Sequence, residues 1–444
     1  MRSFSLPFIN SDKCAKAKPT LIMMSGVGGT QLNGTSATGS GGCPPINSSV
    51  LWYADHWYWE EKLPCFAQYM SLEWDPTTKR HHNATGMAVV PDDGPTPGEM
   101  PVHSKMRLFY GLLWAHLAKA HGYVAGKDMF FVPYDWRTGI QGLEASGGIE
   151  GITNRIAAAV KKNCGQKAIV MSHSYGGNVM AAILHKPELQ KWKEENVRGW
   201  VPVASPFGGC AATTWLSQLS GDFFKLFPIV ANNLLPPAVT SKWHPTVVGK
   251  SLYKLAFGMP TWGWMSPRPE VLGKDHMLIM TPTKNYTIND QKKLLLEMGD
   301  VGGATLLEDS WSRSRKVLQQ GPVPGVETYC LYGVGVPTSI SLVFNNSVAE
   351  RAPIPRPYKT IDTVGDGVVD ITSLRLCGNF APKENVVEIP TPMENVVEIP
   401  TPMVDHATIL AHPLSLLKLS AILHKMDVPY STAWSKLAVD LIAG

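Results

Sequence analysis

Apolar residues in the first two hundred positions fall into two alternating patterns: short continuous runs, and longer stretches spaced three and four apart. The run Thr20-Leu-Ile-Met-Met follows Pro19 and breaks at Ser25-Gly-Val-Gly-Gly-Thr-Gln-Leu. A wholly apolar run of that length predicts a strand covered on both faces. Residues 107–120 then place Leu108, Leu112, Leu113, His116 and Leu117 at helical spacing, Gly122 stops the helix, and 128–134 follows as a strand. A second helix over 149–163 leads through Gly165 into an apolar strand ending near His173, and 198–204 is a further strand that stops at Ser205-Pro-Phe-Gly-Gly. Alternation of this kind across 19–206 predicts a parallel sheet with helices on both faces. Residues 34–45, rich in Gly, Ser, Thr and Pro, predict a surface loop.

The rhythm breaks over 207–310, where Trp, Pro and Met are frequent, and sheet patterns return at 326–335. The expected organisation is a core beginning at 1–206, an inserted cap at 207–310, and a second part of the core at 311–444. A tandem decapeptide, Glu-Asn-Val-Val-Glu-Ile-Pro-Thr-Pro-Met, occupies 384–393 and again 394–403. Two copies are too few for a repeat architecture, so a bulged surface loop is expected.

Composition narrows the function. The 444 residues are 17% charged and 44% hydrophobic with net charge +4, and Lys and Arg form no stripe, which argues against nucleic acid as a partner. No run of about 18 apolar residues occurs, so membrane contact is expected to be peripheral. Seven cysteines leave at least one unpaired, and none has the spacing of a metal site. Sequons at Asn33, Asn47, Asn83, Asn285 and Asn345 point to the secretory route, with a secreted or a lysosomal or vacuolar destination. The first eight residues lack the apolar core of a signal peptide, so a removed signal or a longer precursor is expected.

The chemistry is carried by Lys167-Ala-Ile-Val-Met-Ser-His-Ser174-Tyr-Gly-Gly, an apolar strand running into a serine flanked by small residues and then a helix. A nucleophile elbow turns too sharply for large side chains two positions either side of the serine, hence G-x-S-x-G. Here Ser172 replaces the first glycine and Gly176 is the second. This predicts the α/β-hydrolase fold, with Ser174 as nucleophile. A serine hydroxyl needs a histidine base, itself oriented by a carboxylate, in the chain order Ser, Asp, His. Asp366, in Gly365-Asp-Gly, and His406, in Val404-Asp-His, stand in that order; a plain Gly-Asp-Gly turn and His412 are the competing assignments. The oxyanion that forms on attack needs backbone N–H donors, and Tyr175 and Val27 are placed to supply them.

These segments resemble the lecithin:cholesterol acyltransferase family, which includes a lysosomal phospholipase A2 with transacylase activity. The resemblance covers nearly the whole chain through Gly28-Gly-Thr-Gln-Leu, Tyr134-Asp-Trp-Arg137, the serine elbow, Ala204-Ser-Pro-Phe-Gly-Gly209, Thr281-Pro-Thr-Lys-Asn-Tyr-Thr287, Gly325–Gly335, Gly365-Asp-Gly, Leu376-Cys-Gly and the late His406. It implies a Ser174, Asp366, His406 triad, an oxyanion hole at Val27 and Tyr175, and disulfides Cys43–Cys65 and Cys330–Cys377. The loop 43–65 would be a mobile lid whose Trp52, Trp57 and Trp59 engage lipid, although such rings also make good core. The expected activity takes an acyl chain from a glycerophospholipid at a membrane or lipoprotein surface and passes it to a sterol, water or another lipid alcohol, with no cofactor or metal. The alternatives are a lipid-binding protein without catalysis and a neutral-lipid lipase. Val27 stands where the lysosomal enzyme has an acidic residue, so an acidic pH optimum is not implied.

Overall fold

The computed structural model describes residues 14, 17–52, 57, 61–93, 109–220, 245–347, 357–390 and 404–431. Its centre is a parallel sheet in the order Val386–Pro390, Cys330–Val334, Val197–Val203, Ala168–His173, Thr20–Met24, Met129–Phe131, with the short Glu327–Thr328 strand also beside Val197–Val203. The strands Thr20–Met24 and Ala168–His173 are buried along their full length, as continuous apolar runs require. Helices Phe109–His121, Gly148–Lys162 and Tyr175–Leu184 correspond to the helical patterns and the elbow helix of the sequence. Thr20–Met24 lies one strand in from an edge, Met129–Phe131 joins it as that edge, and Ala168–His173 joins on its other side. Successive connections therefore diverge above the C-terminal ends of Thr20–Met24 and Ala168–His173, the topological position where α/β sheets place their sites.

A second sheet, in the order Asn285–Thr287, Met277–Met280, Val336–Val343, Lys359–Gly365, is mostly antiparallel. Its core of Trp215, Leu278, Ile279, Leu294, Leu307, Leu342 and Phe344 is separate from the main one. Two of its strands come from beyond residue 310, because Val336–Val343 pairs with Met277–Met280 rather than with the main sheet. Of the expected loop 34–45, residues 37–45 are turns and bends, mostly exposed, whereas 34–36 belong to a strand. Leu32–Ser36 is the middle strand of a three-stranded sheet between Ile46–Trp52 and Ala88–Pro91, and this pairing from both sides overrides the local Gly and Ser content. The first decapeptide copy likewise supplies the edge strand Val386–Pro390, with Ile389 buried, where a surface loop was expected; the second copy lies outside the described residues.

Candidate active site

Four segments meet: two leave the C-terminal ends of the main-sheet strands Thr20–Met24 and Ala168–His173, one follows the second sheet's strand Lys359–Gly365, and one carries His406. The Ala168–His173 strand ends in Ser174, whose backbone is held at φ 56° and ψ −131°, a conformation costing a non-glycine residue about 1–3 kcal/mol. The surroundings maintain it: Ser174 N–H donates to the Val203 carbonyl at 2.8 Å and Gly177 N–H to the Ser174 carbonyl at 2.9 Å. A Cβ on Gly176 would lie 2.5 Å from the Ser25 carbonyl oxygen, and one on Gly177 only 1.9 Å from Ser205 Oγ, so both glycines are sterically required. Ser172, in place of the usual glycine, fits because its Oγ accepts the indole N–H of Trp200 at 2.8 Å.

Asp366 follows directly from the second sheet's edge strand Lys359–Gly365. Its Oδ1 accepts from Val368 N–H at 3.0 Å and Val369 N–H at 2.7 Å, leaving Oδ2 for the His406 Nδ1–H at 2.8 Å. The backbones are joined as well, His406 N–H donating to the Asp366 carbonyl at 2.8 Å. On the ring's far side Nε2 lies 2.9 Å from Ser174 Oγ, which donates to it. Asp366 is 0%, His406 3% and Ser174 6% exposed. With Nδ1–H on Asp366, Nε2 is free to take the serine proton. His412, the competing histidine, is occupied in accepting Leu414 N–H at the start of helix Pro413–Lys425.

The loop after Thr20–Met24 carries Val27 between Gly26 and Gly28, the latter at φ 74°. Four aromatic side chains grip it through their polar atoms. Tyr134 hydroxyl donates to the Ser25 carbonyl at 2.7 Å, Trp52 indole to the Gly28 carbonyl at 2.5 Å and Trp136 indole to the Thr30 carbonyl at 3.1 Å, while Gly26 N–H donates to the Tyr110 hydroxyl at 3.3 Å. A Cβ on Gly26 would meet Ser174 Cβ at 2.6 Å, so the loop packs directly on the serine. Tyr175 begins its helix, where an N–H has no intrahelical acceptor. Of the Tyr134-Asp-Trp-Arg137 motif, Arg137 is fully buried on Asp135, the Met70 carbonyl and Asn83. Tyr110, Tyr134 and Trp136 were missed as site residues in the sequence; for Tyr134 and Trp136 the available signal was their position just past the C-terminal end of the parallel strand Met129–Phe131, where sites collect.

Two of the three tryptophans assigned to the lid lie in the core. Trp52 is fully buried beneath the loop that carries Val27, tilted against Trp136 at 5.0 Å, and Trp57 is buried edge-on to Tyr69 with its N–H on the Val50 carbonyl. An indole that caps a buried carbonyl is committed to the core. Trp59 lies outside the described residues. Cys43–Cys65 and Cys330–Cys377 are bonded, and Cys14–Cys164 is a third bridge, a pair the sequence left unassigned. Three bridges fit folding in an oxidising compartment. Cys210 is the free, buried thiol, its pKa pushed up to about 12 by burial. Among the described residues no cluster of His, Cys, Asp or Glu is arranged to hold a metal, and no helix is long and apolar enough to cross a membrane.

Phosphatidylcholine-sterol acyltransferase of Mus musculus is 28% identical over 330 residues, 73% of this chain and 67% of that one. The Homo sapiens protein of the same name is 29% identical over 300 residues, 67% of this chain and 60% of that one. Lysosomal phospholipase A and acyltransferase of Rattus norvegicus is 27% identical over 259 residues, covering 58% and 54%. Among solved structures, the Tle4–Tli4 complex shares the fold at a TM-score of 0.52 and 13% identity, over 93% of this chain and 99% of that one. The model of the lecithin:cholesterol acyltransferase family matches residues 49–311 and 304–413, which span the elbow, Asp366 and His406, and the chain belongs to that family.

Proposed function

We propose that this protein is a serine acyl hydrolase and acyltransferase acting on glycerophospholipids at a lipid surface, with Ser174, His406 and Asp366 as its triad and the N–H groups of Val27 and Tyr175 as its oxyanion hole. The observation that carries the reading is the unbroken Asp366–His406–Ser174 line at 2.8 and 2.9 Å on a strained elbow. Ser174 Oγ attacks the ester carbonyl carbon while His406 Nε2 takes its proton. The tetrahedral oxyanion rests on the two backbone N–H groups, then collapses; the glycerol oxygen leaves as the lysophospholipid hydroxyl, receiving the proton from His406. An acceptor hydroxyl next gives its proton to His406 and attacks the acyl-serine, which releases the new ester, or a fatty acid when the acceptor is water, and restores Ser174. The relatives' names mention phosphatidylcholine, sterol and phospholipase A, and they support this substrate class and a secretory-pathway location.

The test uses liposomes of position-labelled phosphatidylcholine, with and without sterol, incubated with wild type and Ser174→Ala and read by lipid mass spectrometry. Lysophospholipid with steryl ester, lost in the variant, is expected; fatty acid alone would assign the activity to water as acceptor. Product formation that survives in Ser174→Ala would overturn the reading.

A further inference from the structure

Beside the triad lies a second buried line of hydrogen bonds that the acyl-transfer steps do not use. Gly26 N–H in the oxyanion loop donates to the Tyr110 hydroxyl at 3.3 Å. That hydroxyl lies 2.9 Å from His173 Nδ1, and His173 Nε2 lies 2.9 Å from the backbone carbonyl of His406. Tyr110 and His173 are buried, their rings packed edge-on, and the His173 and His406 rings are 5.1 Å apart. The carbonyl of His406 can only accept, so Nε2 of His173 carries the proton. Nδ1 of the neutral ring then accepts from Tyr110, whose oxygen is thereby left to receive Gly26 N–H. Each group has one assignment, and the line runs in one direction from the oxyanion loop to the base.

We propose that Tyr110 and His173 are positioning residues for the triad: this line holds the oxyanion loop and the His406 backbone in register on either side of Ser174. The proposal rests on the acyl-enzyme reading above. His173 is the neighbour of the nucleophile in sequence, and the main chain alone sets the direction of its side chain, opposite to Ser172 along the strand. His406, by contrast, arrives from 232 positions downstream of Ser174. Its ring is aimed by Asp366, but Asp366 comes from the second sheet, so the His406–Asp366 pair needs its own tie to the main sheet. The His173 contact to the His406 carbonyl supplies one. Burial, reinforced by the adjacent His406, depresses the His173 pKa to about 3, which keeps the ring in the neutral form the line demands.

The experiment compares wild type with Tyr110→Phe, His173→Gln, His173→Leu and the Tyr110→Phe/His173→Gln double variant. The readouts are kcat and KM on a soluble short-chain nitrophenyl ester, thermal midpoints, and 15N spectra of labelled histidine. Tyr110→Phe is expected to lower kcat about 10–100-fold at nearly unchanged KM, the loss that follows from slight misplacement of reacting groups. His173→Gln, which keeps an N–H within reach of the His406 carbonyl, is expected to retain more activity than His173→Leu. The double variant should be no worse than its poorer parent, because one line is broken once. In wild type the 15N spectrum should show His173 neutral, protonated at Nε2, and not titrating between pH 5 and 8. Unchanged kcat in Tyr110→Phe, multiplicative loss in the double variant, or an Nδ1-protonated or titrating His173 would each overturn the proposal. Should wild type turn over no ester by way of Ser174 while His173 has the expected spectrum, the acyl-enzyme reading falls and the bonded line stands.

Discussion

The two sheets of this molecule each deliver part of the site, under different constraints. The main sheet is parallel and covered on both faces, and it presents Ser174 where Gly26, Gly176 and Gly177 leave no room for another carbon. The second sheet buries one face on its own small core, and its edge strand Lys359–Gly365 faces solvent, with Ile361 41% and Val364 52% exposed. Yet that strand hands over Asp366, which is wholly buried and accepts three hydrogen bonds through its carboxylate. The main sheet thus determines its site residue by steric crowding along a whole segment, and the second does so by saturating one carboxylate at the end of a permissive strand. Sequence variation should be tolerated at the exposed positions of 359–364, though not at Gly365, where a Cβ would lie 2.3 Å from the Val369 carbonyl oxygen, and almost nowhere near Ser174.

The largest test of this contrast is catalytic. Ser174→Ala and Asp366→Asn, one residue from each sheet, are both expected to reduce kcat on a soluble ester by roughly 10³–10⁶-fold with melting midpoints close to wild type. An active Asp366→Asn enzyme would remove the second sheet from the chemistry.

Acid should act on the two regions in opposite senses. On the main-sheet side, burial lowers the pKa of His121 to about 4 and of His173 to about 3 from 6.5, so the unfolded chain binds more protons as the pH falls below 6.5. Stability from these groups is present above that pH and is lost as the pH drops toward 4. Asp300, the N-cap of the second region's Val301–Gln320 helix, is raised by burial from 3.8 to about 6, and there the folded state binds the extra proton. Its contribution therefore declines as the pH rises from about 4 to 6. The net expectation is a melting midpoint that falls between pH 6.5 and 4, more steeply in Asp300→Asn; a flat profile would break the assignment.

Packing supplies the next test. Gly177→Ala is expected to destabilise by about 1–3 kcal/mol or to fail to accumulate, because Ser205 must move. Smallest of all, Val364→Thr on the second sheet should change unfolding free energy by less than about 0.5 kcal/mol and leave kcat unchanged. A Val364→Thr variant as damaged as Gly177→Ala would show that the two sheets are equally constrained.

Local pattern alone placed the buried main-sheet strands, three of the helices that cover them and the elbow, because a buried parallel strand is apolar along its length and an elbow needs small residues next to its serine. Chain order and family resemblance singled out Asp366 and His406. Two of the disulfides were legible only through that resemblance, since cysteine spacing does not set connectivity. Tertiary structure alone decided the rest. Leu32–Ser36 is a strand because two partners bind it, and the first decapeptide copy is an edge strand because Cys330–Val334 offers an open edge. Trp52 braces the loop after Thr20–Met24 because the Gly28 carbonyl lies within reach of its indole. The Tyr110–His173–His406 line joins residues 63 and 233 positions apart. Periodicity reports which face of an element is buried; which polar atom it meets there depends on how distant segments pack, and no local pattern encodes that.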